Sequence, residues 1–202
     1  MSWVDLLWSM VSAVFLTLAV IQGLTWLRAR DAWENLLFAL AAAAAAVLAV
    51  LELKLVHASS PALYGEILRW MHVAAGVLMV AVAWFIHRYL RGRRTWLAWS
   101  VTALRAAILI PNFLVYPNAT FSEITQLNQI QFLGETFSVP VGQENPWRVL
   151  TQLSVVLFLW LTIDASRLAW KRGLRLRALV IGGATLLAVV MRSEEHTSDS
   201  SH

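Results

Sequence analysis

The ionisable residues that stand inside long apolar runs have the clearest chemical potential in this chain. Glu66, Arg69 and His72 are spaced three residues apart, which places them along one side of a helix. Glu52 stands at a comparable depth in the preceding apolar run, and Gln152 in a later one. A charge inside a bilayer is costly unless it is paired or hydrated. These five residues therefore predict a polar cluster that binds a small ligand or responds to protonation of His72, with a purely structural role as the alternative.

A second intramembrane set consists of Arg105 and Asp164, which have opposite charges at matching depths in two further apolar runs. Counting about 1.5 Å of rise per residue brings both to the same level of the bilayer. We therefore predict a buried Arg105–Asp164 pair. Such a pair acts as a switch between two helix packings or, more commonly, only fixes helix register.

The sequence indicates neither a metal site nor a cofactor. There is no cysteine, which excludes disulfides and thiolate ligands. His57, His72 and His87 stand at different depths, whereas a haem held by two histidines needs both at one level. No phosphate-binding loop, HExxH motif or Ser–His–Asp set occurs, so a membrane-bound enzyme would depend on Glu52, Glu66 and His72 alone.

Composition sets the environment in which these residues work. Of the 202 residues, 59% are hydrophobic and 14% are charged, with a mean hydropathy of +0.64, which is more apolar surface than a soluble domain of this size can hide. We predict an all-α fold, a polytopic transmembrane bundle with five complete helices and most of a sixth. The predicted helices are Trp3–Leu27, Trp33–His57, Tyr64–Tyr89, Thr95–Tyr116, Pro146–Trp170 and Leu174–Met191. The alanine run 41–46 indicates a face for close helix packing.

Basic residues alternate between the connections and so predict the orientation. They cluster after the first, third and fifth helices, whereas segments 58–63 and 117–145 contain neither lysine nor arginine. By the positive-inside rule the N-terminus is periplasmic and the basic turns are cytoplasmic, as in a multi-pass protein of a bacterial inner membrane. The net charge of +4 is thus a topology signal, and nucleic acid is not an expected partner.

Two further features concern the segment around residues 117–145. Two β-like runs flank a turn at Gly134-Glu135, which predicts a small periplasmic hairpin over the bundle. Pro111 is expected to kink the fourth helix, because it cannot donate a backbone hydrogen bond.

Residues 192–202 change abruptly to polar sequence in the middle of the sixth helix. The string Arg-Ser-Glu-Glu-His-Thr-Ser resembles the translation of a sequencing-library adapter, so we expect this tail to be foreign and the natural protein to continue beyond Met191. For that reason Glu194, Glu195, His196 and His202 are not interpreted as a metal site.

Several segments of the second half carry a resemblance to a known family. They are Phe132-Leu133-Gly134-Glu135-Thr136-Phe137-Ser138-Val139, Asn145-Pro146-Trp147, Gln152-Leu153-Ser154, Asp164-Ala165, Trp170-Lys171-Arg172-Gly173 and the run from Arg177 to Gly183. Together they resemble the N-terminal multi-helix input region of bacterial PAS-containing sensor histidine kinases, and the resemblance covers residues 1–191.

In that family seven helices precede cytoplasmic PAS and kinase domains. The resemblance implies a seven-helix sensory domain at 1–191 that is embedded in the lipid bilayer, forms a homodimer and signals to a response regulator. The ATP and Mg²⁺ of such a kinase would bind in the domains that follow, and none of its phosphotransfer residues falls on this chain. The same input region could feed a diguanylate cyclase, and a small transporter or membrane scaffold is the alternative from another class.

Overall fold

A computed structural model describes residues 2–132 and 134–183 of the chain. Five helices in this part are long and apolar enough to span a bilayer, as expected of a multi-pass membrane protein. The helices are α1 (Trp3–Arg28), α2 (Trp33–Val56), α3 (Pro61–Tyr89), α4 (Thr95–Leu114) and α5 (Arg148–Lys171), and residues 175–183 form the described part of α6. The five predicted helices are therefore confirmed, whereas positions 184–191 of the sixth and the tail 192–202 lie outside the described residues.

Capping explains the one helix start that differs most from the prediction. The predicted third helix begins at Tyr64, but α3 begins three residues earlier, at Pro61. The Ser60 hydroxyl accepts a hydrogen bond from the Leu63 amide, and Pro61 occupies the first turn, where a missing N–H has no consequence. At the other end of the segment, α4 passes through Pro111 and ends at Leu114, two residues before the predicted boundary at Tyr116.

The alanine run of α2 forms a packing face, as predicted, and α2 lies against both α1 and α3. Its buried residues are all alanines: Ala39, Ala41, Ala42, Ala44, Ala46 and Ala49. Without long side chains the backbones can approach closely, and the Ser12 hydroxyl of α1 donates a 3.2 Å hydrogen bond to the Ala46 carbonyl oxygen. The rest of α1 exposes leucine, valine and isoleucine side chains, which suits a helix that faces lipid.

The main core lies between α3, α4, α5 and the start of α6. It is lined by Ala83, Ile86, Leu90, Leu97, Ala98, Val101, Phe158, Leu161, Ala165, Ala169 and Ala178. On α6, a Cβ built at Gly182 would lie 3.2 Å from the Ser166 hydroxyl oxygen of α5, so these two helices approach closely at the glycine. Small residues commonly permit such a close approach between membrane helices.

The predicted hairpin is present, and its two strands are long, with 12 residues in the first and 10 in the second. Strand β1 (Phe121–Phe132) pairs antiparallel with β2 (Glu135–Glu144), and Gly134 in the turn has a φ of +81°, a conformation that favours glycine. Ile124 and Leu127 of β1 pack against Tyr64 and Ile67 of α3. The fold is consequently a helical bundle with a small sheet seated on the end where α2 and α3 are joined.

Candidate functional site

The loop between α4 and β1 comes into direct contact with α3. A Cβ placed on Gly65 would lie only 2.9 Å from the Cβ of Pro117, so the approach requires a glycine at this position. The Asn118 side-chain amide donates a 3.1 Å hydrogen bond to the Gly65 carbonyl oxygen. Loop and helix are therefore joined by packing and by a polar contact at the same residue.

We call the polar residues at this contact the hairpin junction: Arg69, His72, Asn112, Asn118, Thr120 and Asn145. Its three asparagines are buried, and each satisfies backbone groups that regular structure leaves open. The Asn112 amide nitrogen donates to the Arg69 carbonyl oxygen at 2.9 Å, and its oxygen accepts from the Ala119 amide at 3.3 Å. The Asn145 amide nitrogen donates to the Asn118 carbonyl oxygen at 3.2 Å.

Asn118 is at the centre of this network. Its side-chain oxygen accepts hydrogen bonds of 2.9 Å from the backbone amides of both Thr120 and Phe121, while its nitrogen holds Gly65. One buried side chain thus fixes the turn that leads into β1 and ties that turn to α3.

Arg69 and His72 of α3 complete the hairpin junction from the helix side. The Arg69 guanidinium donates from Nη2 to the Pro117 carbonyl oxygen at 2.7 Å. The His72 Nδ1 lies 2.9 Å from the Leu68 carbonyl oxygen, and Nε2 lies 3.0 Å from the Thr120 hydroxyl. Because a carbonyl can only accept, Nδ1 carries the proton in neutral imidazole, and Nε2 then accepts from Thr120.

The structure divides the predicted Glu52–Glu66–Arg69–His72–Gln152 cluster. Arg69 and His72 both reach the loop, as the spacing suggests, whereas Glu66 is exposed and lines a separate groove. Glu52 stands on α2 near Tyr64. Gln152 is exposed on α5. Helical geometry separates Glu66 from His72. Each step of three residues advances 300°, so after six residues His72 lies on a different side of α3 from Glu66.

The asparagines of the hairpin junction were missed because an uncharged amide gives no signal in a search for intramembrane charge. A usable signal was present in the sequence. Each asparagine adjoins a proline, in Pro111-Asn112, Pro117-Asn118 and Asn145-Pro146. Proline interrupts regular backbone hydrogen bonding, and a neighbouring amide side chain can satisfy the groups that are left open.

Glu66 lines what we call the α2–α3 groove, a cavity of about 560 Å³ between the end of α2 and the start of α3. The groove is lined by Leu51, Leu53, Lys54, His57, Leu63, Glu66, Ile67 and Trp70. At its edge, His57 Nε2 lies 2.9 Å from the Asp5 carboxylate of α1. The groove is thus mainly apolar, with titratable groups of both signs at its rim.

The predicted inner pair has other neighbours in the structure. Asp164 of α5 pairs with Arg94 at the start of α4, at 3.7 Å between Oδ1 and Nε. Arg105 is buried, and its Nε donates to the Met79 sulfur of α3 at 3.1 Å. Neither contact was anticipated, and the direct Arg105–Asp164 pair stays a prediction.

The opposite end of the bundle, where α3 ends and α4 begins, is rich in arginine. Arg88 lies 3.8 Å from Glu34 of α2, and the Arg172 guanidinium donates to the Arg91 carbonyl oxygen at 2.7 Å. These contacts connect the turn after α3 with the turn after α5. We refer to this region, defined by the turns at 88–94 and 171–175, as the basic end.

Fold and site together describe a multi-pass helical membrane protein with a hairpin anchored on one of its helices. Within residues 2–132 and 134–183, no group of three or more His, Asp or Glu side chains is arranged to hold a metal ion. Searches against protein-family models, curated proteins and solved structures give no match to this chain.

Proposed function

We propose that this chain is a membrane-embedded signal-input module, in which the hairpin receives a signal and α3 passes it to the basic end. The observation that carries the proposal is the hairpin junction. It joins the loop before β1 to Gly65, Arg69 and His72, all in the first half of α3. A displacement of the hairpin therefore acts directly on a helix that continues to Tyr89 without interruption.

Transmission requires two helix packings that the signal binds with different affinity. The contacts at the far end of α3 could be made in one packing and broken in the other. Arg88 and Glu34 connect α3 to α2, and the Arg172 contact with Arg91 connects the turn after α3 to the turn after α5. Movement of α3 would rearrange these exposed contacts at little cost, because surface ion pairs contribute only about 0–1 kcal/mol.

The output that fits the sequence resemblance is a sensor histidine kinase of a bacterial two-component system. In this proposal the chain forms a homodimer in the inner membrane, with its N-terminus periplasmic. Cytoplasmic PAS and kinase domains would bind ATP and Mg²⁺ and phosphorylate a response regulator. A diguanylate cyclase is an alternative output, and reading the intact gene beyond codon 191 separates the two.

The absence of native cysteine allows a direct test of transmission. A fluorophore that reports its environment is attached at Arg93→Cys in the turn after α3, and the junction is perturbed with Gly65→Ala, which pushes against Pro117. We expect a spectral change at position 93. The same label at Asp31→Cys, in the turn between α1 and α2, is the matched control and should not respond.

Equal spectra at position 93 with and without the Gly65 substitution would refute transmission through α3. A small transporter is the competing function, and it predicts solute uptake by proteoliposomes that contain this chain. We expect no uptake from an input module.

A further inference from the structure

Two side chains of opposite charge, Lys54 and Glu66, line the α2–α3 groove. Neither the Lys54 ammonium nor the Glu66 carboxylate has an ion-pair or hydrogen-bond partner among the residues that the structure describes. Both side chains are exposed, and both line the same cavity of about 560 Å³. His57, the third titratable residue of the rim, is already bound by Asp5 at 2.9 Å.

The position of these charges corresponds to the polar boundary of a bilayer. Lys54 stands two residues before the end of α2 and Glu66 five residues after the start of α3, so they lie roughly 3 Å and 8 Å from the helix ends. Trp70, half exposed and in edge contact with Phe113, lies four residues further along α3, roughly 6 Å deeper than Glu66. Leu51, Leu63 and Ile67 provide the apolar wall of the same cavity.

Charge complementarity selects the occupant. A ligand with only a phosphate would bind Lys54 but be repelled by Glu66, and a ligand with only an ammonium would meet the reverse. A zwitterion whose two charges are joined by a short linker satisfies both. The apolar wall requires in addition that this ligand have an acyl chain.

We propose that the α2–α3 groove is a binding site for a phosphoethanolamine lipid. Lys54 donates to the lipid phosphate, Glu66 accepts hydrogen bonds from the primary ammonium, and the acyl chain lies along Leu51, Leu63 and Ile67. The proposal distinguishes ethanolamine from choline headgroups, because a quaternary ammonium has no N–H to donate to Glu66. The site stands independently of the signal-input proposal, since lipid binding here is compatible with any function of the bundle.

The test uses the full chain in phosphatidylcholine vesicles that contain a small fraction of phosphatidylethanolamine with a photoreactive acyl chain. After illumination, adducts are mapped and quantified by mass spectrometry. We expect adducts at residues 51–70 that unlabelled phosphatidylethanolamine displaces and that phosphatidylcholine does not. Lys54→Gln and Glu66→Gln should each reduce this labelling about tenfold, the loss expected for one charge-assisted hydrogen bond.

Matched controls remove the same charges at the hairpin end but outside the groove. Glu123→Gln on β1 and Arg148→Gln on α5 should leave the labelling unchanged. Wild-type labelling in either groove variant would overturn the proposal, as would equal displacement by phosphatidylcholine or stronger displacement by phosphatidylglycerol. Displacement by water-soluble phosphoethanolamine at concentrations as low as the lipid would also overturn it, since the acyl chain would then contribute nothing.

Discussion

The Arg69 guanidinium of α3 donates a 2.7 Å hydrogen bond from Nη2 to the carbonyl oxygen of Pro117. The two residues are 48 positions apart in the chain, and the bond joins the first half of a spanning helix to the loop that leads into the hairpin. Beside it, the buried side chains of Asn112 and Asn118 donate to the carbonyl oxygens of Arg69 and Gly65 on the same helix. Removal of individual parts of this hairpin junction therefore has specific consequences.

Replacement of Asn118 by alanine should strongly destabilise the protein. The substitution removes the donor to Gly65 and leaves the amides of Thr120 and Phe121 without their acceptor in a partly buried position. We expect a loss of about 2–4 kcal/mol in the free energy of unfolding, measured by denaturant titration in mixed micelles. Asn128→Ala on the exposed part of β1 is the control and should change stability by less than about 0.5 kcal/mol.

Two glycines of α3 should respond in opposite ways to substitution by alanine. Gly65→Ala places a methyl group 2.9 Å from Pro117 Cβ, so the loop must move and the protein is destabilised. At Gly76 a new Cβ meets nothing within 4 Å, and Gly76→Ala should be neutral or stabilising by up to about 1 kcal/mol, because alanine restricts the unfolded chain. Equal effects in a thermal unfolding assay would contradict the close approach of loop and helix.

Double-mutant cycles decide which arginine is coupled to Asp164. The Arg94–Asp164 contact at 3.7 Å is partly exposed, so we expect a coupling energy of about 0.2–1 kcal/mol. The same cycle with Arg105 tests the predicted buried pair. Rescue of Arg105→Asp by Asp164→Arg would establish that pair, and absence of rescue would reject it. A third cycle, which combines Arg93→Gln with the Asp164 substitution, gives the baseline coupling energy.

Orientation in the membrane can be measured with single cysteines, because the chain has none of its own. We expect a membrane-impermeant maleimide to label Thr136→Cys in β2 in intact cells. Arg93→Cys in the turn after α3 should be labelled only after the membrane is permeabilised, since the positive-inside rule places that turn in the cytoplasm. The reverse pattern would show that the N-terminus is cytoplasmic.

Most of the fold could be predicted from the sequence, because a spanning helix satisfies its own backbone and depends mainly on the length of an apolar run. The five spanning helices and the alanine face of α2 follow from such local patterns. The hairpin was also predictable, since Gly134-Glu135 divides two β-like runs. The apolar run alone predicts that α3 begins at Tyr64. The helix begins at Pro61 instead, because Ser60 caps it there.

The candidate site was less predictable, because it is built from contacts between distant segments. Arg69 and His72 were identified from their charge, but the spacing could not show that Glu66 lies in a different groove with Lys54. Likewise, equal depth predicts that Arg105 and Asp164 are partners, but it could not show that Asp164 contacts Arg94 or that Arg105 contacts Met79.

The sequence alone determined that this is a helical membrane protein with a hairpin between its fourth and fifth helices. Hydrophobic length and turn chemistry are local properties, and the bilayer permits few other solutions. Only the tertiary structure decided that Asn112, Asn118 and Asn145 bind the hairpin to α3, and that Arg69 reaches Pro117. These contacts depend on the rotation of each helix about its axis and on the path of the loop. A hydrophobic pattern alone fixes neither of them.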